Sequence, residues 1–212
     1  GNVTCASTGP FDGALNIDSR LFTSSLNMAS LAAGKLFLGT TLTGTYAGQS
    51  LAAGSGNTYR LGAGGGAINF SWYEGQLSGN NAVQIGAINN GVAAASITLS
   101  NSGNVILDNR NPLLNGEVYV NLGSTLSARI GDALGTGTLV FNGGTITATG
   151  AIIRNNVRML GDITFVDSQT YTGASLSLAP NIGDGGGGTR TLTMAGNVAI
   201  NGVISGAEYN LI

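Results

Sequence analysis

Few residues in this sequence have side chains that could carry acid–base chemistry. The chain has 10 acidic and 8 basic residues and no histidine. Polysaccharide-cleaving enzymes bring Asp together with Arg or Lys in a groove, and two close pairs have that composition: Asp108 with Arg110, and Arg129 with Asp132. A glycoside-cleaving site also needs a second carboxylate at a defined distance, and the sequence assigns none. We therefore interpret these pairs as exposed ion pairs and predict no catalytic residue.

Metal and cofactor sites are similarly unsupported. The glycine-rich segment 183–188 (GDGGGG) has the glycine content of a calcium-binding repeat. It lacks the regular Gly-x-Asp spacing and occurs once, so a loop is predicted. Gly34-Lys35 is followed by Leu36 where a phosphate-binding loop requires Ser or Thr. Cys5 is the only cysteine, which excludes an internal disulfide and a zinc site built on thiols. No metal and no cofactor is predicted.

Two further features suggest ligand-binding surfaces. Thr-x-Thr runs at 145–149 and 191–193 could form threonine rows that bind ice. These runs do not recur at a constant period, and the preference of Thr for exposed strands explains them equally well. Trp72 and Tyr73, beside Glu74, form an aromatic cluster that could stack on a sugar or pack against an irregular loop.

Composition excludes several classes of protein. Of the 212 residues, 8% are charged, 42% are hydrophobic and 36 are glycine, with a net charge of −2. The chain can therefore bury a core, but it has no basic patch for nucleic acid. No run of 18 apolar residues is present, so no membrane span is expected. Asn2 and Asn69 lie in N-glycosylation sequons, which are frequent by chance in a sequence this rich in Asn, Ser and Thr.

A five-residue unit recurs along the chain: a small or polar pair, an aliphatic residue, any residue, then an apolar residue. The aliphatic and the final apolar residue are two positions apart, so in a strand they face the same side. Inward pairs are predicted at Leu139 with Phe141, at Ile163 with Phe165, and at Leu192 with Met194. The units are GNVTC 1–5, GALNI 13–17, GKLFL 34–38, GAINF 66–70, ASITL 95–99, GNVIL 103–107, GEVYV 116–120, STLSA 124–128, GTLVF 137–141, GTITA 144–148, GDITF 161–165, ASLSL 174–178, RTLTM 190–194 and GNVAI 196–200.

Short strands separated by Gly- and Asn-rich turns fit two all-β architectures. One is a parallel β-helix, a solenoid with irregular loops, and the alternative is an antiparallel β-sandwich. Because the units share one template and Asn is abundant enough for amide ladders between coils, the solenoid is favoured. The three Gly-Asp pairs, 131–132, 161–162 and 183–184, are predicted to be corners that the carboxylate caps.

Residues 134–150 (LGTGTLVFNGGTITATG) and 187–206 (GGTRTLTMAGNVAINGVISG) resemble the passenger-associated β-strand repeat of bacterial autotransporters. Segments 78–91 and 50–66 are similar to stretches found between such repeats. The resemblance is clear over about residues 120–212 and looser before them. It implies a right-handed parallel β-helix, secretion, display at the cell surface and no catalytic residues.

A single solenoid domain over 1–212 is predicted, with its clearest repeats in 95–206. Residues 18–33 do not follow the template and are expected to be a loop or an arm that reaches a neighbouring subunit. Neither terminus shows a capping helix, so the ends of the solenoid are expected to be open. This pattern favours a secreted or surface filament that assembles head to tail from its own copies. The alternatives are a passenger segment of a longer adhesin and a carbohydrate-active β-helix enzyme, with cell-surface glycans as further candidate partners.

Overall fold

In a computed structural model the chain is an all-β solenoid. The structure describes residues 13–86, 103–167, 169–171, 175–178, 188–206 and 209–212. Two short 3₁₀ turns, Met28–Ser30 and Ala32–Gly34, are the helical elements of these residues. The strands are β1 Ala14–Asn16, β2 Leu21–Phe22, β3 Leu26–Asn27, β4 Phe37–Gly39, β5 Thr43–Tyr46, β6 Leu51–Ala52, β7 Thr58–Ala63, β8 Ala67–Phe70, β9 Ala82–Ile85, β10 Asn104–Leu107, β11 Val118–Asn121, β12 Thr125–Ala128, β13 Leu139–Asn142, β14 Thr145–Thr147, β15 Ile152–Ile153, β16 Val157–Met159, β17 Ile163–Val166, β18 Gln169–Tyr171, β19 Leu176–Leu178, β20 Gly188–Arg190, β21 Leu192–Met194, β22 Val198–Ile200, β23 Ile204–Ser205 and β24 Tyr209–Leu211.

Two long parallel sheets form the sides of the solenoid. Sheet A has nine strands in the order β1-β4-β7-β9-β11-β13-β16-β19-β23, and sheet B has eight in the order β2-β5-β8-β10-β12-β14-β17-β21. A third side carries β3-β6 near its beginning and β15-β18-β22, here named sheet C, further along. A separate pair joins β20 to β24. Every pairing between these strands is parallel, which confirms the β-helix and excludes the antiparallel sandwich.

Each coil runs through sheet A, then sheet B, then the third side. Equivalent positions in neighbouring coils are 20 residues apart at Ser127 and Thr147, and 21 apart at Asn121 and Asn142. Strand β9 pairs with β11 across a much longer coil, in which Val83 lies opposite Val118. The loops differ in length from coil to coil, so the strands stay in register although the number of residues per coil varies.

The core is one column of apolar side chains between the sheets. Leu139, Phe141, Ile163 and Phe165 are each at most 1% exposed, as the alternation predicts. Phe22, Tyr46 and Phe70 stack along sheet B, with ring centroids 6.0 and 5.5 Å apart. Their positions continue in register to Leu107 and then to Ala128. Large and small residues thus fill one continuous interior.

Two residues that were predicted to face inward, Leu192 and Met194, are more exposed than the core residues of the preceding strands. Met194 lies in register with Phe165 but is 55% exposed, and Leu192 is only partly buried. Strand β21 is the last strand of sheet B within the described residues, so no further strand covers this pair. Position in the stack, as well as alternation, therefore decides burial.

Residues 18–33, for which the sequence predicted a loop or an inter-subunit arm, belong to the first described coil. They contain β2, which pairs with β5, and β3, which pairs with β6. The two 3₁₀ turns follow, and the side chain of Met28 is 3% exposed. The segment departs from the five-residue template because its strands are only two residues long. The units at 1–5 and 95–99 lie outside the described residues.

The glycines that open many units are explained by close contact between coils. A Cβ atom on Gly137 would lie 1.8 Å from the carbonyl oxygen of Gly116, and one on Gly66 would lie 1.9 Å from that of Leu42. Neither glycine has a positive φ. Sequence reasoning assigned glycine chiefly to sharp corners, whereas at these positions it permits the backbones of adjacent coils to approach.

Candidate functional site

A row of alternating charges runs along the corner that follows sheet B. We name it the charged ladder: Glu74, Arg110, Asp132 and Arg154. The guanidinium of Arg110 donates to Oδ2 of Asp132 at 2.6 Å and lies 3.7 Å from Oε1 of Glu74. Nη1 of Arg154 lies 3.8 Å from Oδ1 of Asp132. Successive coils thus contribute charges of opposite sign along the solenoid axis.

A second ion pair lies beside the charged ladder. Nη1 of Arg129 donates to Oδ2 of Asp108 at 3.0 Å. The two closely spaced pairs noted in the sequence are therefore paired across coils: Asp108 with Arg129, and Arg110 with Asp132. This exchange follows from parallel stacking, which places equivalent corner positions of adjacent coils side by side. Asp108 and Arg129 are 21 residues apart in sequence, and Arg110 and Asp132 are 22 apart.

The charged ladder is open to solvent. Side chains of Glu74, Arg110 and Arg154 are 55 to 65% exposed, and Asp132 is 41% exposed. The hydrogen bond that Arg110 donates to Asp132, followed by the charges of Asp132 and Glu74, raises the pKa of Arg110. A carboxylic acid that protonates a glycosidic oxygen needs a sheltered site that stabilises its neutral form. Exposed and guanidinium-paired carboxylates lack that environment, so the ladder supplies coil-to-coil attraction instead.

Another ion pair spans two coils on the outer face of sheet A. Nη2 of Arg158 donates to Oε2 of Glu117 at 3.1 Å, and its Nη1 lies 3.0 Å from Oε1. Tyr119 donates its hydroxyl to the same carboxylate. Val140 lies between Tyr119 and Arg158 in the sheet and is fully buried although it points outward. Burial, then the hydrogen bond and charge of Glu117, raises the pKa of Tyr119.

The aromatic cluster stands in the loop after β8. Trp72 is 57% exposed and Tyr73 is 41% exposed, so neither ring packs fully against a loop. The carbonyl of Tyr73 accepts a hydrogen bond from the amide of Asn109 in the next coil. Glu74 of the charged ladder follows directly. Two exposed aromatic rings beside an ion pair could contact a ligand.

Buried amides join the coils on the third side. Oδ1 of Asn111 accepts from the backbone N–H of Leu77 at 3.0 Å, and its Nδ2 donates to the carbonyl of Ala133 at 2.9 Å. Asn155 donates to three backbone carbonyls, including that of Gly137 at 2.7 Å. The sequence predicted stacked amide side chains, whereas these amides bind backbone groups of the neighbouring coils. In sheet A, Nδ2 of Asn142 donates to Oδ1 of Asn121 in the preceding coil at 3.5 Å.

Carboxylates also cap corners, which the sequence predicted for three Gly-Asp pairs and which occurs at Asp162, whereas Asp132 binds Arg110 and Arg154, and 183–184 lies outside the described residues. Oδ1 of Asp162 accepts from the N–H of Thr191 at 2.9 Å in the following coil. Asp18 accepts from the N–H of Thr41 at 2.7 Å and from the hydroxyls of Thr40 and Thr41. These hydrogen bonds, the backbone one foremost, lower the pKa of Asp18.

An open groove of about 580 Å³ lies beside sheet C. Its lining includes Gln169, Thr170 and Asn197, together with glycine, alanine, valine and methionine. Among the described residues, those that line the groove carry no ionisable side chain. In the part of the chain that the structure describes, no three acidic, histidine or cysteine side chains cluster as metal ligands. Residues 183–187 of the glycine-rich segment, Cys5 and Asn2 lie outside that part.

Within the same described residues, no helix is long and apolar enough to cross a bilayer. Comparisons with protein-family models, with curated proteins and with solved structures give no match to this chain.

Proposed function

We propose that this chain is an extracellular structural protein, a rigid β-solenoid that forms a surface filament by end-to-end pairing of coils. The continuity of sheet A carries the proposal, because nine parallel strands stack without interruption. The glycine contacts, buried amides, carboxylate caps and charged ladder all join one coil to the next. Such a molecule resists bending and extends by addition of further coils.

The outer edges of the first and last described strands of sheet A would supply the joint. Within the described residues, β1 and β23 each have a single neighbour in sheet A. Val203, Ile204 and Ile212 are 50 to 76% exposed at the β23 end. Pairing of β23 with β1 of the next copy would continue the sheet in the same parallel sense. This contact is heterologous and does not close, so it generates a fibre.

The likeness of 134–150 and 187–206 to the autotransporter passenger repeat supports a secreted or surface location. It also supports the alternative of a passenger segment in a longer adhesin. There, further coils of the same chain would meet these edges, and surface glycans would be the partners. Both versions assign the chain a structural role without catalysis.

Electron microscopy and sedimentation of the purified protein test the filament. We expect rods that lengthen with concentration, and fewer of them for Ile204→Lys, which places a charge on the exposed edge strand. Leu113→Lys is the matched control because Leu113 is 67% exposed away from the coil ends. Monomers that stay dispersed at high concentration would contradict self-assembly and favour the adhesin segment.

A further inference from the structure

Sheet B carries hydroxyl side chains in register on its outer face. Thr125, Thr145, Thr164 and Thr193 occupy equivalent positions in four consecutive strands, β12, β14, β17 and β21. A second row, two residues further along each strand, contains Ser127 and Thr147. We name these six residues the hydroxyl face.

The sequence hides this alignment because the loops between the strands differ in length. Only the strand register shows that Thr145 lies between Thr125 and Thr164, and that Thr193 follows. The Thr-x-Thr motif at 145–147 therefore stands inside an ordered array. Of the two threonines in the motif at 191–193, only Thr193 lies in the row, because Thr191 precedes β21.

The hydroxyl face is regular in two directions. Adjacent strands of a sheet are about 4.8 Å apart, and alternate residues of one strand are about 6.7 Å apart. The hydroxyl of Thr147 donates to that of Ser127 at 2.8 Å, which is the usual O–H···O distance between hydroxyls or water molecules. Thr side chains are stiff at χ1, so their methyl and hydroxyl groups hold fixed positions.

The outer face of sheet B is also free of charge within the described strands. The preceding strands present Thr43, Ala67 and Asn104 in the first row, and Thr45, Asn69 and Ile106 in the second. Val166 completes the second row beside Thr147. No aromatic ring stands in either row. An uncharged, ring-free array suits a neutral partner and offers neither phosphate contacts nor a platform for sugar stacking.

We propose that the hydroxyl face binds ice. The first row is a rigid line of hydroxyl and methyl groups repeated at the strand spacing, and it can hold water molecules in the positions of a crystal surface, whereas Ser127 of the second row is only 6% exposed. Thr125, Thr145 and Thr164 are partly exposed and Thr193 is exposed, so water reaches the first row. This inference does not depend on the filament, because the face lies along the side of the solenoid.

Thermal hysteresis of the purified protein tests the proposal. We expect a hysteresis that grows with protein concentration, and ice crystals with altered facets. Thr145→Lys places a long charged side chain in the centre of the grid and should abolish most of the hysteresis. Thr164→Lys is a second variant with the same expected loss, used if the first loses its β-sheet circular dichroism.

Thr170→Lys is the matched control. Thr170 is also partly exposed but lies on sheet C, where its neighbours are Ile152 and Ala199. It should keep the hysteresis of the unmodified protein. The proposal is overturned if the unmodified protein gives no more hysteresis than albumin at equal concentration, or if folded Thr170→Lys loses as much as folded Thr145→Lys. Binding to crystalline cellulose without hysteresis also overturns it, in favour of a polysaccharide surface.

Discussion

Polar side chains in this protein act mainly between coils. Asn111 satisfies a donor in the coil before it and an acceptor in the coil after it. Asp18 binds Thr40 and Thr41 of the next coil through both carboxylate oxygens. Because buried backbone groups must be paired, corners that leave the sheet ladders need such side chains. The hydrogen bonds of these side chains thus stabilise the stacking of one coil on the next.

Asn111→Ala should destabilise the protein clearly. The backbone N–H of Leu77 and the carbonyl of Ala133 would lose their side-chain partner, at about 1–3 kcal/mol for each buried group left unpaired. Asn115→Ala is the control, since its exposed side chain only accepts from Thr136 and should change stability by less than about 0.5 kcal/mol. The free energy of unfolding by denaturant measures both. Equal effects would show that the amide bridge contributes nothing specific.

The Asp18 carboxyl should titrate below its ordinary pKa of 3.8, since the Thr41 N–H and two hydroxyls stabilise its charged form. Its contribution to stability is therefore present above pH 3.8 and is lost as the pH falls through the lower folded-state pKa. Carbon-detected NMR titration of the carboxyl measures the midpoint. A midpoint at or above the ordinary value would show that these hydrogen bonds do not persist in solution.

At the scale of the strand, the sequence predicts some features and leaves others open. Alternation predicts the inward pairs Leu139 with Phe141 and Ile163 with Phe165, because it is a local property of a strand. The ion partners of Asp108 and Asp132 are set by the register between coils, which depends on loop lengths that no local pattern reveals. The same holds for Glu117 and Arg158, 41 residues apart.

Gly137→Ala should destabilise the stack by about 1–3 kcal/mol, the usual effect of overpacking. Its new Cβ would lie 1.8 Å from the carbonyl oxygen of Gly116, so two backbones must separate. Gly150→Asn is the control. Gly150 has a φ of +70°, which Asn tolerates, and no atom lies within 4 Å of its Cβ position. Thermal unfolding followed by circular dichroism compares the two. Equal stability of Gly137→Ala and Gly150→Asn would mean that the two coils can separate enough at Gly137 to accommodate a Cβ atom.

At the scale of the molecule, the solenoid is a linear stack. Each inner strand of sheet B is hydrogen-bonded only to the strand before it and the strand after it. The energy of such an array is approximately a sum over coils and over the interfaces between neighbours. Substitutions in adjacent coils should therefore interact, and those in distant coils should act independently.

A double-mutant cycle on the core aromatics tests this linear behaviour. Phe141 and Phe165 are in edge contact at 6.0 Å, so each change to Ala should cost about 3–5 kcal/mol and the pair should couple by about 0.5–3 kcal/mol. Phe70 lies four strands from Phe165 in sheet B, roughly 19 Å at the usual strand spacing. Phe70→Ala and Phe165→Ala should therefore add within about 0.5 kcal/mol.

Chemical unfolding followed by circular dichroism and by intrinsic fluorescence supplies the four free energies of each cycle. A coupling free energy found only between Phe141 and Phe165 would show that only neighbouring coils interact. A coupling of Phe70 with Phe165 as large as that of the adjacent pair would show instead that the column unfolds as one rigid body. In that case, cavities made in distant coils would affect one another, and the stability of the stack would not be a sum of nearest-neighbour contacts.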